Sequence, residues 1–207
     1  SFDTQTKEFA RFVDVGCNVI SSLSGDGKSL LYVGTDGNGV HFVSTDKKKV
    51  VRSMRHETGK DETLRSNSVY SVLVDKEGLI WVGFYQLGLD YTLYQSGLFS
   101  TYTYAPFFDS RDMPVRALAI EGKEKLIGSR DGLFYIDEEN HRYKSFKVPQ
   151  LRSNMIFSCL YYQNEYYIGT YGGGMYVFNP VTLTLRDFEP DGGMPFSKGH
   201  IFCIKQD

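Results

Sequence analysis

Asn67-Ser-Val-Tyr-Ser-Val-Leu-Val-Asp75-Lys-Glu-Gly78-Leu-Ile-Trp81-Val-Gly83 is the stretch that decides the fold. Val69 to Val74 is a β-branched, apolar run suited to a strand. Asp75 to Gly78 has the composition of a tight turn, with an acceptor side chain first and a glycine last. Ile80 to Gly83 is a second strand, ending on a residue with no side chain. A glycine there marks the close approach of another group, and an aromatic ring of a neighbouring sheet is the expected one.

The unit recurs through the chain. One copy runs from Asn18 through Asp26-Gly27 to Gly34, and another from Val115 through Leu126 to Gly132. A further copy runs from Asn154 through Ile168 to Gly174, and a last one begins at His200. Taking Val19, Val69, Val115, Ile156 and Ile201 as the first apolar residues, the steps are 50, 46, 41 and 45 residues. The glycines Gly34, Gly83, Gly128 and Gly169 are spaced by 49, 45 and 41 residues. A period of about 40–50 residues with four short strands per unit belongs to β-propeller blades.

Each unit supplies strands A to D. After A and B, a Gly-rich turn such as Asp36-Gly37-Asn38-Gly39 leads to strand C: Val40–Val43, Leu89–Tyr94, Leu133–Ile136 and Met175–Phe178. Strand D is more polar, as an outer edge should be: Val50–Met54, Phe99–Tyr104, Arg142–Phe146 and Leu183–Phe188. Phe2 to Phe9 resembles the approach to strand D. The expected fold is all-β: a leading D strand (1–13), four full blades (14–54, 67–104, 113–148 and 154–190) and a trailing A strand (199–207). That order implies a piece of a larger ring, with a small ring of irregular closure as the alternative. The first residue is Ser1 and not Met, so an excised or processed segment is expected.

Composition agrees with this reading. Among 207 residues, 41% are apolar, enough for a core, and 15 Tyr, 15 Phe and 21 Gly favour strands and turns. No long 3.6-residue periodicity is present, so little helix is expected. The net charge of −2 and the lone basic triplet Lys47-Lys48-Lys49 argue against duplex binding through phosphates. The triplet reads as a solvated turn. Three cysteines, Cys17, Cys159 and Cys203, exclude complete internal pairing, and Cys159 and Cys203 fall in apolar runs where a buried thiol acts as a small hydrophobe. No apolar stretch approaches the 18 residues of a membrane span.

The pattern Asn-x-Val-x-Ser-Val…Asp-x-x-Gly-x-Ile-Trp-Val-Gly over Asn67–Gly83 resembles the two-component-regulator propeller repeat, and weaker copies extend the resemblance over nearly the whole chain. Phe84-Tyr85-Gln86-Leu87-Gly88-Leu89 and Ser129-Arg130-Asp131-Gly132 depart from its usual continuation. The resemblance implies the periplasmic sensor region of a Bacteroides-type hybrid two-component regulator. Such regions combine two propellers with a small β-sandwich and a membrane helix, and recognise oligosaccharides to control polysaccharide use. The kinase, receiver and DNA-binding parts lie outside these residues. Implied partners are an oligosaccharide and the neighbouring propeller and sandwich domains, with a homodimer as an alternative. No nucleic acid would be contacted, and the membrane only through other parts of the protein.

Little here suggests chemistry. His41, His56, His141 and His200 occupy unrelated phases of the repeat without metal-ligand spacing, so no metal or other cofactor is expected. Gly169 to Gly174 lacks the Lys-Ser/Thr end of a phosphate loop. Asp26 and Asp75 read as turn-formers, with calcium at such turns the alternative. A propeller enzyme, similar to streptogramin or polysaccharide lyases, would need a base and a charge-neutralising group on one face. A purely structural propeller would show an apolar docking patch. Binding is the favoured class. The B–C turns share a face with the D–A loops Met54–Asn67, Tyr104–Met113 and Phe188–His200, and loops on rigid scaffolds carry recognition. The candidate ligand-binding residues are Tyr85, Gln86, Arg130 and Tyr171 on the B–C turns and Arg111 on a D–A loop. Aromatic faces suit sugar rings, and arginine forks suit carboxylates or sulfates.

Overall fold

The computed structural model describes residues 1–60, 63–94, 99–104, 108–190 and 198–206. Among them every regular element is a strand. Blade 1 comprises β1 (Ile20–Gly25), β2 (Leu30–Thr35), β3 (Gly39–Ser44) and β4 (Lys49–Met54). Blade 2 comprises β5 (Val69–Val74), β6 (Leu79–Phe84), β7 (Leu89–Leu93) and β8 (Ser100–Thr101), followed by a small ribbon of β9 (Thr103–Tyr104) and β10 (Phe108–Asp109). Blade 3 comprises β11 (Val115–Glu121), β12 (Glu124–Ser129), β13 (Leu133–Asp137) and β14 (Arg142–Phe146). Blade 4 comprises β15 (Ile156–Tyr162), β16 (Glu165–Thr170), β17 (Met175–Asn179) and β18 (Thr184–Asp187). Each blade is a four-stranded antiparallel meander, and the first strands of consecutive blades pack on one another to give an arc of four blades.

The defining motif has a local cause. Asp75 Oδ1 accepts from the backbone N–H of Glu77 and Leu79, both at 2.9 Å, and Oδ2 accepts from Trp81 Nε1 at 2.7 Å. One carboxylate thus closes the β5–β6 turn and orients the indole. Asp26 closes the β1–β2 turn with the same two backbone bonds, to Lys28 and Leu30. Lys47, Lys48 and Lys49 are exposed at the turn between β3 and β4.

Three apolar cores lie between blades rather than within them. Val40, Phe42, Val69 and Phe84 join blades 1 and 2. Trp81, Leu89, Val115 and Phe134 join blades 2 and 3, and Leu126, Tyr135, Ile156 and Phe178 join blades 3 and 4. The second-strand glycines set the spacing. A Cβ on Gly34, Gly83, Gly128 or Gly169 would meet Val69, Val115, Ile156 or Ile201 respectively. The neighbour is therefore a β-branched aliphatic opening the next blade, and not the expected aromatic: only a compact side chain fits between two closely packed sheets. Opposite each glycine on its own blade stands a small residue, Ser22, Ser71, Ala117 or Ser158.

Several boundaries differ from the sequence expectation. In blade 1 the residue equivalent to Val69 is Ile20 and not Val19: Ile20 pairs with Thr35 as Val69 pairs with Phe84. The outer strand of blade 2 is broken after Thr101. The Tyr102 ring turns inward against Trp81, with ring centroids 5.3 Å apart, and its hydroxyl donates to Glu138. The leading segment is not an outer strand. It folds on itself, with Phe2 bridged to Phe9 and Asp3 capping the bend. The trailing segment forms no strand over residues 198–206, yet it occupies a first-strand position. Ile201 N donates to Thr170 O at 3.0 Å, and Ile204 N donates to Ser158 Oγ at 2.9 Å, as Val72 N does to Ser22 Oγ in blade 2. It has no second strand to pair with. Cys203 is accordingly exposed rather than buried; Cys17 and Cys159 are half-buried, and all three are free thiols. Parts of the three D–A loops (61–62, 105–107 and 191–197) lie outside the described residues.

Candidate functional site

Every complete first strand carries a β-bulge at the same place. Pairing to the second strand skips one residue between Ile20 and Ser22, Val69 and Ser71, Val115 and Ala117, and Ile156 and Ser158. The skipped residues are Ser21, Tyr70, Arg116 and Phe157. A bulge leaves its extra residue unpaired and re-aims the side chain. Here the four side chains, joined by Phe202 of the trailing segment, line one cleft of about 370 Å³ on the inner side of the arc.

A second tier lies just above them. Asp36, Tyr85, Arg130 and Tyr171 each follow a second strand, and each donates its N–H to the carbonyl preceding a first strand: Val19, Ser68, Pro114 and Met155. They therefore occupy one equivalent position in the four blades. Gly37 and Gly39 N–H groups donate to Asn67 O, and Gly88 N to Met113 O, which places the B–C turns and the D–A loops on a common face. Gly172 and Gly174, both at φ +81°, let the turn beside Tyr171 close tightly.

The tiers touch. The Tyr70 ring lies 5.0 Å from the Tyr85 ring, and Phe157 lies 5.8 Å from Tyr171 and 5.3 Å from Phe202. His200 stacks on Tyr171 at 4.2 Å. Arg116 sits in the middle, its guanidinium carbon 5.0 Å from both the Tyr70 and the Phe157 ring centroids. Tyr85, Tyr171 and Phe202 remain 37%, 43% and 58% exposed, so apolar ring surface is presented to solvent around one cation. Burial, and then the charge of Asp36, raise the Tyr70 hydroxyl above its ordinary pKa; the Asp36 carboxylate accepts from Ser68 Oγ.

Of the residues singled out from sequence, the structure brings Tyr85 and Tyr171 onto this cluster. Arg130 holds the equivalent exposed position of blade 3, and Gln86 is exposed beside Tyr85. Arg111 lies elsewhere: its guanidinium is held by Asp109, with Nε 3.0 and 2.8 Å from the two carboxylate oxygens. Tyr70, Arg116, Phe157 and Phe202 escaped the sequence reading. Tyr70, Arg116 and Phe157 sit inside strands, where alternation makes a residue look like packing, and Phe202 holds the equivalent place in the trailing segment. The signal for them was the repeat phase itself, since each directly follows the opening Val or Ile of its unit.

A second cleft, of about 350 Å³, lies between blades 2 and 3. Of its three aromatic residues, Trp81 and Tyr102 are buried and already hydrogen-bonded to Asp75 and Glu138, and Tyr91 packs on Trp81 with ring centroids 5.1 Å apart; Lys125 is paired with Glu138 at 2.8 Å. Among the described residues no group of three or more His, Cys, Asp or Glu side chains could hold a metal ion.

The turn built on Asp75 lies in the one stretch that a family model matches. Residues 63–86 match the two component regulator propeller. Blade 2 is thus similar to a two-component regulator propeller repeat, and the other blades share its register. The extracellular domain assigned to a hybrid two component system, BT3049 of B. thetaiotaomicron, superposes with a TM-score of 0.63 and 26% identity, over 85% of this chain and 23% of that one. The extracellular domain of BT4673, assigned to a one component system of the same organism, superposes over 100% of this chain and 28% of that one, with a TM-score of 0.70 and 16% identity. The computationally designed Ika4 protein shares the fold at 14% identity and a TM-score of 0.58, over 83% of this chain and 99% of its own. No curated protein matches the chain. This chain spans about a quarter of the length of the two B. thetaiotaomicron domains it resembles.

Proposed function

We propose that these blades are a non-catalytic, ligand-binding part of the periplasmic sensor region of a hybrid two-component regulator, and that they take an oligosaccharide at the inner cleft. The carrying observation is the convergence of Tyr70, Arg116, Phe157 and Phe202 from equivalent points of successive blades, beneath Tyr85 and Tyr171. Small-ligand sites are concave, largely aromatic or apolar, and carry a few placed polar groups. Pyranose rings offer apolar faces to aromatic side chains and hydroxyls to the guanidinium and backbone. The likeness to extracellular sensor domains supports the same reading.

Signalling would follow from ligand preferring one arrangement of this propeller against its neighbours, since a ligand shifts an equilibrium only by its differential affinity for the two states. Any kinase activity would reside elsewhere in the parent protein.

A thermal-shift series with neutral, acidic and sulfated oligosaccharides tests the proposal. Ligand at a hundred times its dissociation constant adds about 2.7 kcal/mol, a rise of roughly 5–10 °C for a chain of this size. A selective rise that Tyr171→Ala abolishes is the expected result. A flat response across the series would overturn it.

A further inference from the structure

Four arginines stack on aromatic rings: Arg52 on Phe42 and Tyr94, Arg65 on Phe84, Arg116 on Tyr70 and Phe157, and Arg152 on Tyr176. Three of them direct their donors to an oxygen of the chain. Arg52 reaches the Tyr94 carbonyl, Arg65 the Asp90 carboxylate at 2.6 Å, and Arg152 the Asp187 carboxylate at 2.5 Å. Arg116 reaches none among the described residues. Its Nε is buried without a hydrogen-bond partner, and among the described residues no carboxylate pairs with its charge. Among the described residues it is the one charged side chain lining the inner cleft.

A guanidinium carries five N–H donors in a planar fork, matched to a carboxylate or a sulfate. The Tyr70 and Phe157 rings both pack against this fork, each centroid 5.0 Å from its central carbon. Aromatic stacking fixes the plane, so little side-chain freedom remains to be lost on binding. We infer that Arg116 is the anchor for an anionic substituent, a carboxylate or a sulfate ester, on the sugar that enters the inner cleft. The inference rests on the sugar-binding reading above and adds a charge requirement to it.

The test uses the 207-residue chain and three probes of one backbone: a galacturonate trisaccharide, its carboxyl-reduced neutral form, and that neutral form bearing a sulfate ester. Affinity is read by calorimetry, and the Arg116 Nε–H resonance by nitrogen–proton correlation. At least one anionic probe is expected to bind tenfold or more tightly than the neutral one and to move the Arg116 resonance. Which of the two anions does so separates the sources. Arg116→Gln should erase the difference. Arg116→Lys, which keeps the charge but not the fork, should retain part of it, and so reports even where the glutamine variant folds poorly. Added salt should narrow the difference. Equal binding of neutral and anionic probes, unchanged in Arg116→Gln, would overturn the anion anchor and leave the sugar site standing. Absence of binding by all three would remove both.

Discussion

Gly128 and Ile156 lie so close that a Cβ on the glycine would stand 2.5 Å from Ile156 Cγ2. The contact repeats between successive blades and fixes how near two sheets can come. Gly128→Ala is expected to cost about 1–3 kcal/mol, the range for overpacking a well-filled core. At Gly34 the nearest atom, Val69 Cγ1, is at 3.0 Å and needs to give way by only a few tenths of an ångström, so Gly34→Ala should cost below about 1 kcal/mol. Urea midpoints at unchanged slope measure both. Equal costs would mean that the glycines are there for backbone freedom and not for inter-blade spacing.

Asp75 ties a turn to the only tryptophan of the chain. Asp75→Ala removes the acceptor for two backbone N–H groups and for Trp81 Nε1, an expected loss of about 2 kcal/mol. Asp75→Asn keeps one acceptor for the turn but opposes an amide N–H₂ to the indole N–H, so about half of that loss is expected. Trp81 is buried between blades 2 and 3, and its emission should shift to longer wavelength in Asp75→Ala before global unfolding begins. An unshifted emission would show that packing alone holds the indole.

The repeat made most of the fold legible. The first strand of blade 2 and the outer strand of blade 3 have the expected bounds, because period-2 patterning and turn residues agree there. What sequence could not show depended on partners distant along the chain. Tyr102 breaks its strand to reach Trp81 and Glu138, which lie in other strands. The terminal segments lack sheet neighbours that a local pattern takes for granted. The candidate site was half legible. Tyr85 and Tyr171 stand on glycine-rich turns, where function is sought first, whereas Tyr70, Arg116 and Phe157 stand in strands and reach the cleft only through bulges.

His41 introduces a pH dependence. It is buried on β3, with Nδ1 2.8 Å from Ser53 Oγ and Nε2 without a partner. Burial, reinforced by the charge of Arg55, lowers its pKa below the ordinary histidine value. In the window between the lowered folded value and the unfolded value near 6.5, the unfolded chain binds the extra proton. Stability is therefore fully present above about pH 6.5 and declines as pH falls toward the folded value. Unfolding free energies at pH 7 and pH 5.5 should show the decline, and His41→Gln should flatten it. A His41→Gln slope equal to that of the unsubstituted chain would assign the dependence to other groups.

Leu23 and Val72 hold the same position in blades 1 and 2, opposite Val33 and Val82. Val72 is 4% exposed, because blade 1 packs over it; Leu23 is 55% exposed, because no blade of this chain lies on that face. Identical strand position and comparable chemistry thus separate the contribution of the inter-blade core from that of strand propensity. Val72→Ala should cost about 2 kcal/mol, since it withdraws buried methyl groups and leaves a cavity. Leu23→Ala removes more atoms yet should cost below about 0.5 kcal/mol, as they already contact water. Measured by urea unfolding, a ratio of four or more between the two places the stability of the arc between its blades. Equal costs would place it within each sheet instead, and the stacking of blades would then organise the inner cleft without stabilising the chain.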